Sequence, residues 1–168
     1  VWSATFADLA RRIEGIAQDA ASAGNSRSAR DAYLRAAVYY AAQQDAELTY
    51  ADDDTILASF RDHRRCWDAF ARLNEPALEP VAIAYEGWTM PGYFLSVDGT
   101  KRPTMVIVNG SDGPLTWIWS LAQACHDYGF NVLMFDGPGQ QSMLFERKIP
   151  FRPDWEKLIT PVVDWIGQ

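Results

Sequence analysis

The sequence has only two cysteines, two histidines and no long hydrophobic run among its 168 residues. Cys66 and Cys125 both fall on apolar faces of predicted helices, which indicates free thiols and a reducing compartment rather than a disulfide framework. A helix that crosses a bilayer needs about 20 consecutive apolar residues, and no such run or secretory signal pattern is present. We therefore expect a cytoplasmic protein without a membrane partner.

Positive charge is also scarce, because 22 acidic residues outnumber 15 basic ones and give a net charge of −7. Nucleic acids and anionic membranes bind basic surfaces, so this excess disfavours both as the main partner. In contrast, hydrophobic residues make up 48% of the sequence and include seven tryptophans, which is typical of a folded, globular chain. The length suits one medium domain, or a small helical domain plus part of a larger one.

Hydrophobic periodicity divides the chain near Pro76 into a helical domain, residues 1–75, and an α/β domain, residues 76–168. In the first domain, apolar residues recur every three or four positions in three segments, which predicts three helices. Ser28 and Asp31 resemble a capping box, so we expect the second helix to begin there.

Strand patterns follow the boundary. Residues 81–85 and 93–97 alternate between apolar and other positions, which predicts two strands around a turn. Residues 105–108 and 132–135 are unbroken apolar runs, as expected for parallel strands covered on both faces. The order of strand, helix and strand predicts one βαβ unit.

Two helices of the α/β domain are each predicted to bury one apolar face. The helix between the parallel strands is expected to bury Trp117, Leu121, Ala124, Cys125 and Tyr128. The last helix should begin near Pro153 and bury Trp155, Leu158, Ile159, Val162, Val163 and Ile166.

Turn-forming residues follow both parallel strands, where open α/β sheets bind their ligands. Residues 109–113, Asn-Gly-Ser-Asp-Gly, could place backbone N–H groups around an oxyanion, but they also suit a plain turn. The sequence alone leaves these two interpretations open. A nucleophilic role for Ser111 is disfavoured, because the Gly-x-Ser-x-Gly elbow is missing and neither histidine lies beside it in the sequence.

The other polar groups are interpreted as structural. His63 lies on an apolar helix face, and His126 lies near a helix end, where positive charge favours the dipole. Residues 52–54, three aspartates, suit the first turn of the third helix and need no metal. Residues 137–142 match the Gly-x-Gly-x-x-Gly dinucleotide pattern only in part, since the third glycine is missing. We therefore expect neither a metal nor a cofactor.

Seven segments of the chain together carry motifs of one protein family: residues 33–40, 85–87, 91–94, 109–113, 135–140, 152–156 and 161–164. They resemble the α/β-hydrolases, and the resemblance covers nearly the whole chain. The chain is similar to the subgroup with an N-terminal helical domain, which includes 2,6-dihydroxypseudooxynicotine hydrolase and fungal polyketide-shortening hydrolases. Gln141 is a departure, because this subgroup usually has glycine there.

The resemblance implies an α/β fold: an N-terminal helical cap followed by the first half of an α/β-hydrolase sheet, about four strands, truncated before the nucleophile elbow. It further implies a serine hydrolase that cleaves a carbon–carbon or ester bond next to a carbonyl in a small-molecule substrate. No Gly-x-Ser-x-Gly occurs in residues 1–168, so no catalytic triad residue is expected there. The chain alone should be inactive, should need the remainder of the hydrolase polypeptide to fold, and could form a homo-oligomer.

Some site residues are also implied by the resemblance. The backbone N–H of Ser111 is the expected oxyanion donor, with Gly110 permitting the turn. The loops near the active-site mouth would carry Asp112, Asp136, Gly137 and Gly139. The alternative, of a different class, is a non-catalytic helical binding module on a truncated α/β scaffold, because the helix at residues 33–40 is similar to helix-pair repeat modules.

Overall fold

The computed structural model describes all 168 residues, which form two compact units, Val1–Ala77 and Leu78–Gln168. None of the helices combines the length and the apolar character that crossing a lipid bilayer demands. In chain order the elements are α1 (Trp2–Ser22), α2 (Ser26–Glu47), α3 (Asp53–Leu73), β1 (Glu79–Tyr85), β2 (Trp88–Leu95), β3 (Thr104–Val108), α4 (Leu115–Asp127), β4 (Asn131–Phe135), α5 (Gln141–Phe145) and α6 (Glu156–Ile166).

The first unit contains the three predicted helices. Small side chains on α2 let its neighbours approach closely, and Ala29, Ala36 and Ala37 are completely buried. The predicted start of α2 at Ser28 is wrong, because the helix already begins after Asn25 and no side-chain cap closes its first turn. The acidic start of α3 is confirmed: the Asp52 carboxylate accepts a hydrogen bond from the Thr55 N–H at 2.9 Å.

A buried carboxylate connects the three helices. Glu14 on α1 accepts two hydrogen bonds from the Arg65 guanidinium on α3, both at 2.9 Å, and one from the Tyr40 hydroxyl on α2 at 2.8 Å. Burial by itself would raise the pKa of Glu14, but these hydrogen bonds outweigh burial and hold it below its usual value. The ionised carboxylate therefore fixes how the helices pack.

The second unit is built on a sheet with strand order β1-β2-β4-β3. β1, β2 and β4 pair antiparallel, whereas β3 lies parallel to β4, with Val108 opposite Phe135. β4 is buried along its whole length, as predicted. β3 differs from the predicted buried run, because only Ile107 of this strand is buried and Met105 is 40% exposed.

The predicted buried face of α4 is wrong. Trp117, Leu121 and Tyr128 are exposed, and the helix instead buries a different set of residues, Leu115, Thr116, Trp119 and Ala122. Both sets recur at helical spacing, so periodicity could not choose between them.

The predicted face of α6 is right only in part. Leu158 and Val162 are completely buried against a core that includes Ile83 of β1 and Leu133 of β4. Ile159 and Val163 are exposed, because the buried stripe is narrower than the apolar one. The helix runs through Pro161 without a break.

Candidate functional site

A cleft of about 620 Å³ opens in the second unit where β3 and β4 end. Its walls come from the end of β3, the loop that follows β3, the loop that follows β4, and the segment before α6. The lining residues are Val108, Asn109, Gly110, Ser111, Gln140, Phe151 and Trp155.

Gly110 and Ser111, the predicted oxyanion donors, both line this cleft and are exposed. No group of the chain accepts a hydrogen bond from the N–H of either residue. No histidine lines the cleft, so Ser111 has no imidazole base there. This arrangement offers backbone donors rather than a nucleophile.

The Gln140 side chain connects the two loops of the cleft. Its Nε2 donates to the carbonyl oxygens of Asn109 and Gly110, the latter at 3.3 Å. Its Oε1 accepts from the Gly137 N–H at 2.8 Å. Because the amide is both donor and acceptor, it holds the loop after β3 against the loop after β4.

Gln141 makes a second connection between the same loops. Its Nε2 donates to the Asp112 carbonyl oxygen at 2.6 Å. The Gln141 backbone has a φ of 26°, a conformation that favours glycine. The residue that departs from the subgroup pattern therefore occupies a glycine-type conformation and adds a hydrogen bond to it.

Asp112 and Asp136 do not line the cleft. Asp112 is exposed and holds its loop through the carbonyl bonded to Gln141. Asp136 is completely buried, and its carboxylate accepts from the Ser142 hydroxyl at 2.7 Å and from the Ser142 N–H at 3.3 Å. Through these contacts with Ser142, Asp136 positions α5.

Gly137 and Gly139 make room for an aromatic wall. A Cβ on Gly137 would lie 2.7 Å from the Trp155 ring, and one on Gly139 would lie 2.4 Å from the Phe151 Cα. The rings of Phe151 and Trp155 stack with centroids 5.6 Å apart. Sequence reasoning missed this wall, although two glycines so close together were a signal that something large packs against them.

The remaining candidates lie elsewhere. His63 is buried in the helical unit, where burial lowers its pKa to about 3. Cys66 is buried and Cys125 half-buried, and both are free thiols. No three His, Cys, Asp or Glu side chains come together in a way that could hold a metal ion.

The chain is similar to curated α/β-hydrolases over almost all its length. It is 33% identical to the alpha/beta hydrolase xenA of Xenoacremonium sinensis, covering 98% of this chain and 40% of the relative. With the alpha/beta hydrolase psoB of Aspergillus fumigatus it shares 31% identity, covering 97% of the chain and 39% of the relative. The chain thus spans about two fifths of the length of these relatives. No protein-family model matches it.

A solved structure shows the same fold. The 2,6-dihydroxy-pseudo-oxynicotine hydrolase superposes with a TM-score of 0.87 at 22% identity, covering the whole of this chain and 46% of the other. The resemblance found in the sequence is confirmed. The fold is a helical N-terminal region followed by a four-stranded part of an α/β-hydrolase sheet.

Proposed function

We propose that this chain, a relative of the α/β-hydrolases, is the N-terminal portion of a serine hydrolase and supplies its oxyanion hole. The substrate would be a small molecule in which a carbon–carbon or ester bond lies next to a carbonyl. One observation carries the proposal: the free N–H groups of Gly110 and Ser111 line a cleft at the end of β3, beside an aromatic wall.

The chemistry follows from where charge develops. When a nucleophile attacks a carbonyl, negative charge gathers on the carbonyl oxygen, and a fixed N–H donor stabilises that charge more than the neutral ground state. The Ser111 N–H is the proposed donor, and the Gly110 N–H lies next to it. The nucleophile and its base would come from the remainder of the polypeptide. The rings of Phe151 and Trp155 would exclude water, which strengthens the hydrogen bond to the oxyanion.

We propose a separate role for the helical unit. We assign Val1–Ala77 as the cap domain that shapes the substrate pocket, as the subgroup resemblance implies. The chain covers both this unit and the partial sheet, and the superposition with 2,6-dihydroxy-pseudo-oxynicotine hydrolase extends over all of it, which supports the assignment.

Two substitutions of Ser111 in the complete hydrolase test the oxyanion role. Ser111→Ala keeps the N–H and should change kcat by less than about threefold, whereas Ser111→Pro removes the donor and should lower kcat by about a hundredfold or more. Circular dichroism checks that both variants fold. Equal and severe losses in two folded variants would assign the function to the hydroxyl and reject the backbone donor.

The binding-module alternative has its own observation, the exposed residues Trp117 and Leu121 on α4 and Tyr128 directly after it. A surface of this kind can dock another protein. Intact mass spectrometry of the protein from its source separates the two candidates. A longer polypeptide carrying Gly-x-Ser-x-Gly supports the hydrolase, and a mature chain of residues 1–168 with no hydrolase partner supports the binding module.

A further inference from the structure

We infer that Gln140 is a positioning residue whose side-chain amide sets the direction of the oxyanion-binding N–H groups. The inference rests on the proposed function, since Gln140 would act only through the Gly110 and Ser111 donors. Its basis is one set of contacts: the Gln140 Nε2 donates to the carbonyl oxygens of both Asn109 and Gly110.

Peptide geometry converts these contacts into a direction. In a trans peptide unit the C=O of one residue and the N–H of the next point in opposite directions. The Asn109–Gly110 and Gly110–Ser111 bonds are both trans. By holding the carbonyls of Asn109 and Gly110, Gln140 therefore turns the N–H groups of Gly110 and Ser111 away from itself and leaves them free to donate.

The loop after β3 needs such an anchor. Gly110 has no Cβ and can adopt many backbone conformations, so the peptide units on either side of it can rotate easily. Donors stabilise a transition state well only if they are oriented before the reaction, because reorientation during the reaction costs free energy. Because Gln140 anchors the carbonyls of Asn109 and Gly110, neither of these peptide units can rotate freely, and both N–H donors keep their direction.

Gln140 is itself rigidly placed. Its side chain is buried, and its Oε1 accepts from the Gly137 N–H at 2.8 Å. Its backbone N–H donates to the Gly137 carbonyl at 3.0 Å, and its own carbonyl accepts from the N–H groups of Met143 and Leu144. The position requires a side chain that both donates and accepts at this reach, which a glutamine amide does and a glutamate or methionine does not.

Gln141 offers a matched comparison within the same loops. Its amide also donates to a backbone carbonyl of the loop after β3, but that carbonyl belongs to Asp112. By the same geometry it directs the Gly113 N–H, which is not a proposed donor. Loss of the Gln141 amide removes a hydrogen bond between the same two loops without freeing the Gly110 and Ser111 peptides.

The test measures ester turnover by the complete hydrolase with an activated aryl ester. Gln140→Met and Gln140→Glu should each lower kcat by about 10- to 100-fold, with KM changed by less than about threefold, because the ground state gains little from the donors. Gln141→Met should lower kcat by less than about threefold. The affinity for an aryl boronic acid, which forms a tetrahedral anion on the nucleophile, should fall in parallel with kcat. Gln140→Glu keeps an acceptor for the Gly137 N–H, so it also serves if Gln140→Met fails to fold.

A double-mutant cycle separates this inference from the proposed function. In a Ser111→Pro background the Gln140 substitutions should lower kcat little further, because the main donor they orient is gone. If Ser111→Pro leaves kcat unchanged, the proposed oxyanion role fails. If Ser111→Pro lowers kcat but the Gln140 losses are fully additive, absent, or matched by Gln141→Met, the oxyanion role stands and the positioning inference is overturned.

Discussion

Arg152 Nη1 donates to the Glu86 carboxylate at 2.7 Å and so joins the β1–β2 turn to the segment before α6. The same guanidinium donates twice to Asp154, at 2.6 and 2.8 Å, and lies 5.6 Å from the centre of the Tyr85 ring. Hydrogen bonds from Arg152 hold the pKa of Asp154 well below its usual range. Trp155 directly follows Asp154 in the chain and lines the cleft, so this cluster fixes one wall of the cleft.

The first prediction concerns this cluster. Arg152→Met should lower the thermal midpoint of the complete protein by a few degrees, and Arg152→Lys should have an intermediate effect, because an ammonium keeps the charge but loses the forked geometry. Arg102→Met is the control, since Arg102 pairs with Asp98 within one turn. Scanning fluorimetry at low and high salt measures the midpoints. Identical midpoints for the arginine and methionine proteins would show that the cluster does not hold the segment.

The second prediction is that residues 1–168 alone have no hydrolase activity. Oxyanion donors without a nucleophile give only residual acceleration, and Ser142, the serine nearest to the buried Asp136, already donates its hydroxyl there. The pure chain should neither turn over activated aryl esters nor react with a fluorophosphonate probe. Stoichiometric labelling at Ser111 or Ser142 would contradict this expectation.

The third prediction compares two glycines with nearly the same φ angle. Gly139 has a φ of 80° and Gly99 one of 75°, but a Cβ on Gly99 would meet open space. Gly99→Ala should therefore cost only the backbone strain, about 1–2 kcal/mol. Gly139→Ala should cost about 1–3 kcal/mol more, because the new Cβ would displace Phe151. Urea unfolding of the complete protein measures both, and equal costs would rule out the steric explanation.

The fourth prediction concerns acid and His63. Burial lowers the pKa of His63 to about 3, against 6.5 for an unperturbed histidine. Between these values the unfolded chain binds a proton that the folded chain does not, so the unfolding free energy should fall as the pH falls from about 6.5, by about 1.4 kcal/mol per pH unit. His63→Gln should remove this contribution and make the slope shallower, whereas His126→Gln should keep it. Urea unfolding of the complete protein at about pH 7, 6 and 5 measures the slope, and a slope unchanged by His63→Gln would refute the assignment.

The sequence predicted the elements well but not always their faces. The acidic start of α3 could be predicted from the sequence because Asp52 caps the helix locally, by accepting one hydrogen bond from Thr55, three positions further on. The buried face of α4 was not readable, because this helix is apolar on two sides and tertiary packing chose Trp119 over Trp117.

At the candidate site, the sequence predicted where the loops lie but not which residues contact each other. Turn residues after apolar runs located Gly110 and Ser111 at the cleft. The connection from Gln140 to Gly110 spans 30 positions, and no local pattern predicts a contact at that separation. Gln141 was identified as a departure from the subgroup, but the hydrogen bond that it makes was visible only in the fold.

The last prediction concerns the open edge of β3. β4 is the only strand that pairs with β3, whose outer row of N–H and C=O groups is therefore free for another strand. The strand Thr104–Val108 carries no charge or proline, the usual protection against edge pairing. The chain of residues 1–168 should therefore associate with increasing concentration, and under the proposed function the remainder of the hydrolase would cover this edge.

Two lysine substitutions at equally exposed positions test this expectation. Met105 on β3 and Val38 on α2 are 40% and 39% exposed, so each accepts a lysine at similar cost. Met105→Lys puts a charge on the edge strand and should reduce the association, whereas Val38→Lys adds the same charge to the helical unit and should leave it unchanged. Sedimentation velocity over a concentration series measures the association. A monodisperse monomer with a cooperative thermal transition would show that residues 1–168 fold independently and would favour the binding module over the hydrolase fragment.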